Sequence, residues 1–281
     1  MHGRGSRHPG KRQVSVRKAI IPAAGLATRF LPVTKVVPKE LLPLGNKPVI
    51  HWIVEEAVAA GVDEVVVVIS DDKTAICEYF TANPSLDAVL QQRGKGELLD
   101  EVNHLIDNVR FTFVIQDEPK GLGHAVLCGR DAVGDDPALV LLGDAPIMAQ
   151  TPVSRQLVDM YEEVGHSVIG LERVANEKIP FRGIVGGIEE TPTRWHLNTV
   201  IEKPALADAP SNLSISGRYL FTPGFFQYLE TATPRPDGEI CLTTAIDGLI
   251  RDAEVYGCVF EGTRHDTGTP AGYRDVLEHY A

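Results

Sequence analysis

The chain has 281 residues, 43% hydrophobic and 23% charged, the proportions of an ordinary globular protein. No apolar run approaches the roughly 20 residues that cross a bilayer, so no membrane partner is expected. Six of the 27 basic residues and none of the 38 acidic ones fall in the first 18 positions, which leaves the remainder at −17; a body that acidic repels nucleic acid, and no nucleic-acid partner is expected either.

Residues 1–17, with Arg4, Arg7, Lys11, Arg12 and Arg17 but no apolar core, read as a flexible basic tail and not as a secretion signal. The body opens with a strand over 18–22 and a glycine-containing loop over 23–32. A helix follows over 46–60, with Asn46 as its cap and Pro48 in its first turn. The continuous apolar run at 64–69 is that of a strand covered on both faces. A helix is expected over about 72–80 and a polar helical stretch through 84–106. Then come a strand over 111–116, a helix over 123–132 and a strand over 138–142. This alternation implies right-handed crossovers and an α/β fold, a mostly parallel sheet flanked by helices.

After about 150 the rhythm changes. A helix over 153–164 and a strand over 167–173 are followed by short strands at 183–188, 196–201 and 214–221, set apart by Pro, Gly and Asn. A helix near 241–251, a strand at 255–260 and a helix at 271–280 complete the chain. Residues 150–240 read as elaborations on the same sheet, so 18–281 is taken as one domain. The four cysteines, Cys77, Cys128, Cys241 and Cys258, form no CxxC pair; they fit reduced thiols and a cytoplasmic location.

The most informative stretch is Ala23-Ala-Gly-Leu-Ala-Thr-Arg-Phe-Leu-Pro32, followed by Pro38-Lys-Glu-Leu-Leu-Pro43. Small residues after a first strand let backbone N–H groups approach a ligand. Arg29 and Lys39 are mobile cations able to neutralise a triphosphate. Neither GxxxxGK[ST] nor GxGxxG is present. By chemistry alone the segment also fits a tight surface turn carrying solvated cations.

Together these two motifs resemble the signature of the sugar-nucleotide pyrophosphorylases. Further segments are similar to the bacterial UTP–glucose-1-phosphate uridylyltransferases: Gly121-Leu-Gly-His-Ala-Val-Leu-Cys128, Val200-Ile-Glu-Lys-Pro204, Ser216-Gly-Arg-Tyr219 and Gly238-Glu-Ile240. The resemblance runs over about 18–281 with the motifs in order. It implies a Rossmann-like nucleotidyltransferase (glycosyltransferase-A-like) fold with sugar-side elaborations. It also implies Mg²⁺-dependent transfer of UMP from UTP to glucose 1-phosphate, and a homo-oligomer, dimer or tetramer.

The same resemblance implies roles for particular residues. The nucleotide would lie over Ala24, Gly25 and Thr28, with Gln116 at the edge of uracil and the Gly121 N–H on a uracil oxygen. A glutamine amide suits that edge because it offers one donor and one acceptor. Asp144 and Asp266 would be the metal ligands, consistent with the preference of Mg²⁺ for one or two carboxylates plus phosphates and waters. Gly183, Glu202 and Lys203 would form the sugar end. Side chains alternate along a strand, so Glu202 and Lys203 diverge unless the turn at Pro204 re-aims one of them. A sugar phosphate is already ionised at neutral pH, so no base is needed. Mg²⁺, Arg29, Lys39 and Lys203 are left to stabilise charge around the α-phosphorus.

Four departures bear on base and sugar. Ala27 stands where the family has Gly, Leu142-Gly-Asp-Ala145 where Leu-Pro-Asp-Asp is typical, Cys241-Leu-Thr-Thr-Ala245 for Gln-Leu-Thr-Asp-Ala, and Arg182 for an aromatic. Use of dTTP or another sugar 1-phosphate, or a non-catalytic regulatory role, is the alternative reading.

Overall fold

The strands Lys18–Pro22 and Glu64–Ile69 pair in parallel, Lys18 opposite Glu64 and Pro22 opposite Val68. Beyond Lys18 and Glu64 both are apolar, and successive side chains point to opposite faces. Ile21, Val65 and Val67 therefore enter a core under the helices Val49–Ala59 and Val153–Val164. Ile20, Val66 and Val68 enter a second core under the helices Gly121–Cys128 and Leu242–Asp252. Full burial of each such side chain is worth about 1.5–3 kcal/mol, which is why a run without polar alternation settles as a central strand.

The computed structural model describes residues 15–280. The basic tail expected over 1–17 lies outside the described residues as far as position 14, but its last residues belong to the fold. Val16 is buried. The Arg17 carbonyl accepts from the N–H groups of Asp63 (3.0 Å) and Glu64 (3.1 Å), and its guanidinium pairs with Asp63.

Nine strands share one sheet, in the order Arg110–Ile115, Glu64–Ile69, Lys18–Pro22, Ala138–Leu141, Leu213–Phe221, Ser167–Arg173, Val255–Val259, Arg194–Glu202 and Gly183–Thr191. The expected parallel order holds across the first four. Beyond them Leu213–Phe221 runs antiparallel to both its neighbours, and Gly183–Thr191 and Arg194–Glu202 form an antiparallel hairpin. The strand Leu213–Phe221 bends at Gly217 (φ +85°), so its first residues also reach Gly183–Thr191. A Cβ at Gly217 would lie 2.8 Å from Leu142, so the bend also seats the loop after Leu141.

Some boundaries differ from expectation for local reasons. Asn46 does not cap a helix. With Gly45 (φ +66°) it forms the turn of a small hairpin between Pro43–Leu44 and Lys47–Pro48, and the helix starts at Val49. The stretch 84–106 is broken at Gly94 (φ +65°) into Pro84–Gln92, a 3₁₀ turn and Asp100–Asn108. Among the described residues no helix is long and apolar enough to cross a membrane.

Candidate active site

Two clefts open side by side, the first at the carboxyl ends of the parallel strands, where ligands bind in open α/β sheets, and the second beside the hairpin of Gly183–Thr191 and Arg194–Glu202. They share Leu122, Leu142 and Glu239 as a common wall. The first encloses about 520 Å³ and is lined by Ala24, Gly25, Thr28, Lys39, Gln116, Gly121 and Asp144. The second encloses about 280 Å³ and is lined by Arg182, Gly183, Glu202, Lys203, Arg235 and Arg264, among others.

The loop bordering the first cleft is held from beneath. Lys73, 5% exposed, donates to the carbonyls of Ala23 (2.6 Å) and Gly25 (2.7 Å). The same ammonium meets both oxygens of Glu40, which is 1% exposed, at 3.2 and 3.0 Å. Burial pushes the Glu40 carboxyl upward against the pull of Lys73 and Lys39. A Cβ at Gly25 would meet no protein atom, so glycine leaves the cleft itself open. Ala27 has φ +51°, the left-handed region, and opens the turn Thr28–Phe30; its carbonyl accepts from Thr34 Oγ1 at 2.9 Å.

Gln116 is 7% exposed just past the strand Arg110–Ile115. Its amide nitrogen donates to the Gly121 carbonyl at 3.2 Å and lies 2.9 Å from His124 Nδ1. Only the N–H end of an amide can face a carbonyl oxygen, so the Gln116 oxygen is the end left for the cleft. Gly121 opens the helix Gly121–Cys128, and its N–H is one of the first-turn donors that no intrahelical carbonyl reaches. The segment 238–240 clamps this helix start: Ile240 N–H donates to Lys120 O (2.8 Å) and Ile240 O accepts from Gly123 N–H (2.9 Å). A Cβ at Gly121 or Gly123 would fall within 2.9 Å of that segment.

Asp144 follows the strand Ala138–Leu141 and forms a salt bridge with Lys39. Burial works against both charges, but each outweighs that cost for the other. Asp144 is held below the usual carboxylate range, with Arg264 helping, and Lys39 above the usual lysine value, with Glu40 helping. The Asp144 carbonyl accepts from Thr267 Oγ1 at 2.7 Å, which ties its turn to the segment 265–269. In that segment Asp266 Oδ1 accepts from Gly268 N–H at 3.0 Å. A Cβ at Gly268 would lie 3.1 Å from Asp144 Oδ2 and 3.1 Å from Asp266 Oδ1, so both carboxylates face one small space that only glycine leaves clear. Buried Arg218 braces the same turn from behind, donating to the Ala145 carbonyl (2.8 Å) while its guanidinium meets Glu56 at 2.8 Å.

In the second cleft Glu202 accepts from Thr243 Oγ1 at 2.7 Å, and a Cβ at Gly183 would lie 3.2 Å from the same carboxylate oxygen. Lys203 has φ +51°, and this left-handed residue is what re-aims the chain: Lys203 and Glu202 line the same cleft, their charged ends 3.8 Å apart. Arg235 approaches Glu202 at 3.7 Å and Arg182 approaches Asp266 at 3.7 Å. Burial and the neighbouring Arg182 charge depress Arg264, whose Nε donates to Ser216 O at 3.0 Å.

The structure thus brings Ala24, Gly25, Thr28, Lys39, Gln116, Gly121 and Asp144 to one cleft, and Gly183, Glu202 and Lys203 to the next. Asp266 lines neither cleft but lies beside Asp144 across Gly268 and 3.7 Å from Arg182. Arg29 also lines neither: it is exposed on the turn Thr28–Phe30, and its positive charge works against that of Lys39. Sequence reasoning missed Lys73, Glu40, Thr243 and Arg235. Glu40 and Thr243 sat inside quoted motifs without a role. Lys73 sits in Ser70-Asp-Asp-Lys73, which carries no signal beyond a polar turn.

The nucleotidyl transferase family matches residues 18–281. The chain is similar to the UTP–glucose-1-phosphate uridylyltransferase of Bacillus subtilis (strain 168), 46% identical over 266 residues, 95% of this chain and 91% of that protein. Among solved structures, UTP-bound UGPase from Acinetobacter baumannii superposes with a TM-score of 0.88 at 34% identity, covering 94% of this chain and 93% of that one. A UDP-glucose pyrophosphorylase complexed with UDP-glucose superposes with a TM-score of 0.86 at 33% identity, covering 94% and 98%.

Proposed function

The chain belongs to the nucleotidyl transferase family, and on that premise we propose that it joins UTP to α-D-glucose 1-phosphate, releasing pyrophosphate and leaving UDP-glucose. The observation that carries this reading is the pair of clefts with a common wall. Lys39 and Asp144 face one, and Lys203 and Arg264 face the other. That is the layout for bringing two polyanions end to end.

The nucleotide takes the first cleft. The Gln116 oxygen accepts the N3–H of uracil, and the Gly121 N–H donates to an adjacent uracil oxygen. His124 fixes the Gln116 amide in the orientation this requires. The small residues Ala24 and Gly25, tied down by Lys73, let the nucleotide lie against the backbone. Lys39, which rests on Asp144, is the cation that turns to the triphosphate, with Thr28 beside it and Arg29 joining from the rim. In the second cleft Glu202, oriented by Thr243, accepts from sugar hydroxyls, and Lys203 meets the sugar phosphate.

Asp144 and Asp266, whose carboxylates both border Gly268, would hold Mg²⁺, which would supply positive charge to stabilise the phosphates; two carboxylates suit that ion. A sugar phosphate oxygen forms the new bond to the α-phosphorus, and the bond to the β-phosphate oxygen breaks as pyrophosphate leaves. The nucleophile is already ionised, so the chain's residues orient and neutralise and no general base is required. The free thiols Cys77, Cys128, Cys241 and Cys258 suit a reducing cytoplasm. A homo-oligomer, dimer or tetramer, goes with the same reading.

The test is kcat/KM by coupled pyrophosphate release for UTP, dTTP, ATP and GTP with glucose 1-phosphate, in wild type and Gln116→Ala. UTP should lead, dTTP should also be used because thymine shares the edge that is read, but less well because of its C5 methyl and missing ribose 2′-OH, and the purines should fall about 100-fold or more lower. Gln116→Ala should narrow the gap between UTP and ATP. A wild-type preference for a purine triphosphate sinks the reading.

A further inference from the structure

The second cleft carries more positive charge than the proposed reaction has so far used. Arg182, Lys203, Arg235 and Arg264 face two carboxylates, Glu202 and Glu239, in a chain whose net charge is −11. One of the four cations is committed: Arg264 is 9% exposed with its Nε on the Ser216 carbonyl. Lys203 is 55% exposed and already assigned to the sugar phosphate. Arg182 and Arg235 remain, each 3.7 Å from a carboxylate, and of the two Arg182 is the one tied to Lys203 through the backbone.

Its backbone is fixed beside Lys203. Gly183 pairs with Glu202 across the hairpin, and one step beyond, Lys203 N–H donates to the Arg182 carbonyl at 2.9 Å. The two basic residues therefore leave the paired strands together and flank the same opening. The Arg182 guanidinium, 23% exposed, comes within 3.7 Å of Asp266 Oδ2, too long for a hydrogen bond. It is held near the carboxylate without being committed to it. Asp266 in turn faces the space over Gly268 that it shares with Asp144. Arg182 thus spans from the sugar cleft to the border where the two substrates meet.

We propose that Arg182 is a second phosphate-binding residue for the sugar 1-phosphate, gripping its dianion with Lys203 and leaving Asp266 as it does so. This rests on the reading of the second cleft as the sugar phosphate site. A phosphate dianion has two charges to neutralise. A lysine supplies one as a point charge, whereas a guanidinium supplies the other through two parallel N–H donors that also fix the phosphate's orientation. That orientation decides whether the attacking oxygen points at the α-phosphorus.

The competing view is that Arg182 only tethers the segment 265–269 through Asp266. Calorimetric titration of UDP-glucose and of UTP, each with EDTA and with Mg²⁺, separates the two. The titrations use wild type, Arg182→Ala and Arg182→Lys, alongside KM for each substrate. If Arg182 binds the sugar phosphate, Arg182→Ala weakens UDP-glucose about 10- to 100-fold in EDTA as well as in Mg²⁺ and raises the glucose 1-phosphate KM similarly, with UTP affinity within about twofold of wild type. Arg182→Lys recovers part of the loss, since it returns charge without the fork. Equal losses for UTP and UDP-glucose, or a loss seen only with Mg²⁺, overturn the proposal in favour of the tether. No change in either ligand overturns it outright. Wild-type protein that binds UTP but not UDP-glucose refutes the proposed reaction and this inference with it, an outcome distinct from a variant that binds as wild type does.

Discussion

The two clefts are built to different standards of rigidity. On the nucleotide side the charges meet close partners: Lys73 makes contacts of 2.6–3.2 Å to two carbonyls and Glu40, and Lys39 sits on Asp144. On the sugar side Arg182, Lys203 and Arg235 stand 3.7–3.8 Å from their carboxylates and are partly exposed. The strands under the first cleft are parallel and covered on both faces, whereas the second is walled by an antiparallel hairpin and the turn after Glu202. On the proposed function, the contrast follows from what each cleft would do. A planar base and a triphosphate are met by a backbone loop that must already be in place, since backbone donors cannot be re-aimed. A sugar phosphate is met by long side chains that can swing.

The sharpest way to break this division is at its border. Asp144→Asn preserves shape while removing charge from the space shared with Asp266. We expect kcat to fall about a thousandfold, the scale of losing a major charge-stabilising element, with the fold retained. A rate near wild type at saturating Mg²⁺ would remove Asp144 from the metal site. The substitution also carries a pH signature. The folded-state pKa of Asp144 lies below its unfolded value, so its stabilisation is present above the unfolded pKa and lost as pH falls through the folded one. The stability difference between wild type and Asp144→Asn should therefore shrink in acid and persist at neutral pH, as read by denaturant titration.

A second test sharpens the comparison on the nucleotide side. Lys73→Met leaves Glu40 buried without its cation, and losing one partner of a buried pair costs about 3–5 kcal/mol. UTP KM should rise more than glucose 1-phosphate KM, because Ala23 and Gly25 lose their common anchor. The double variant Lys73→Met/Glu40→Leu should regain most of the stability but not the UTP affinity, since the two carbonyls still lack a donor. If affinity returns together with stability, Lys73 supports the core and does not shape the loop.

What the sequence made legible follows the range of the interactions. The strands Lys18–Pro22 and Glu64–Ile69 announce themselves because burial on both faces leaves an uninterrupted apolar run. Most residues of the two clefts were legible because they cluster in short motifs whose backbone shape is local. Lys73 was not: it sits about fifty positions from the loop it anchors, and nothing in its own neighbourhood reveals that partner. The Asn46 cap failed for a local reason, since Gly45-Asn46 serves a hairpin turn as readily as a helix start. The left-handed Lys203 was the condition the strand alternation required, yet its sign of φ is invisible until the turn before Pro204 is built.

Ala27 offers the smallest and most discriminating effect. It stands where the resembling family has glycine and adopts φ +51°, a conformation that costs an ordinary L-residue about 1–2 kcal/mol. Glycine would remove that strain but lose about 0.5–1 kcal/mol to the greater freedom of its unfolded chain. The net gain for Ala27→Gly is therefore at most about 1.5 kcal/mol, a rise in Tm of no more than about 6 °C. The loop around it is already fixed by Thr34 Oγ1 on the Ala27 carbonyl and by Lys73 on Ala23 and Gly25, so kcat/KM for UTP should stay within about twofold. A stabilised variant with unchanged kinetics means the strain is tolerated because the loop is held elsewhere, as the rigid nucleotide side requires. A tenfold change in UTP kcat/KM with sugar phosphate KM unmoved would mean that the alanine methyl itself aims the loop, and the rigidity assigned to Lys73 would have to be shared with it.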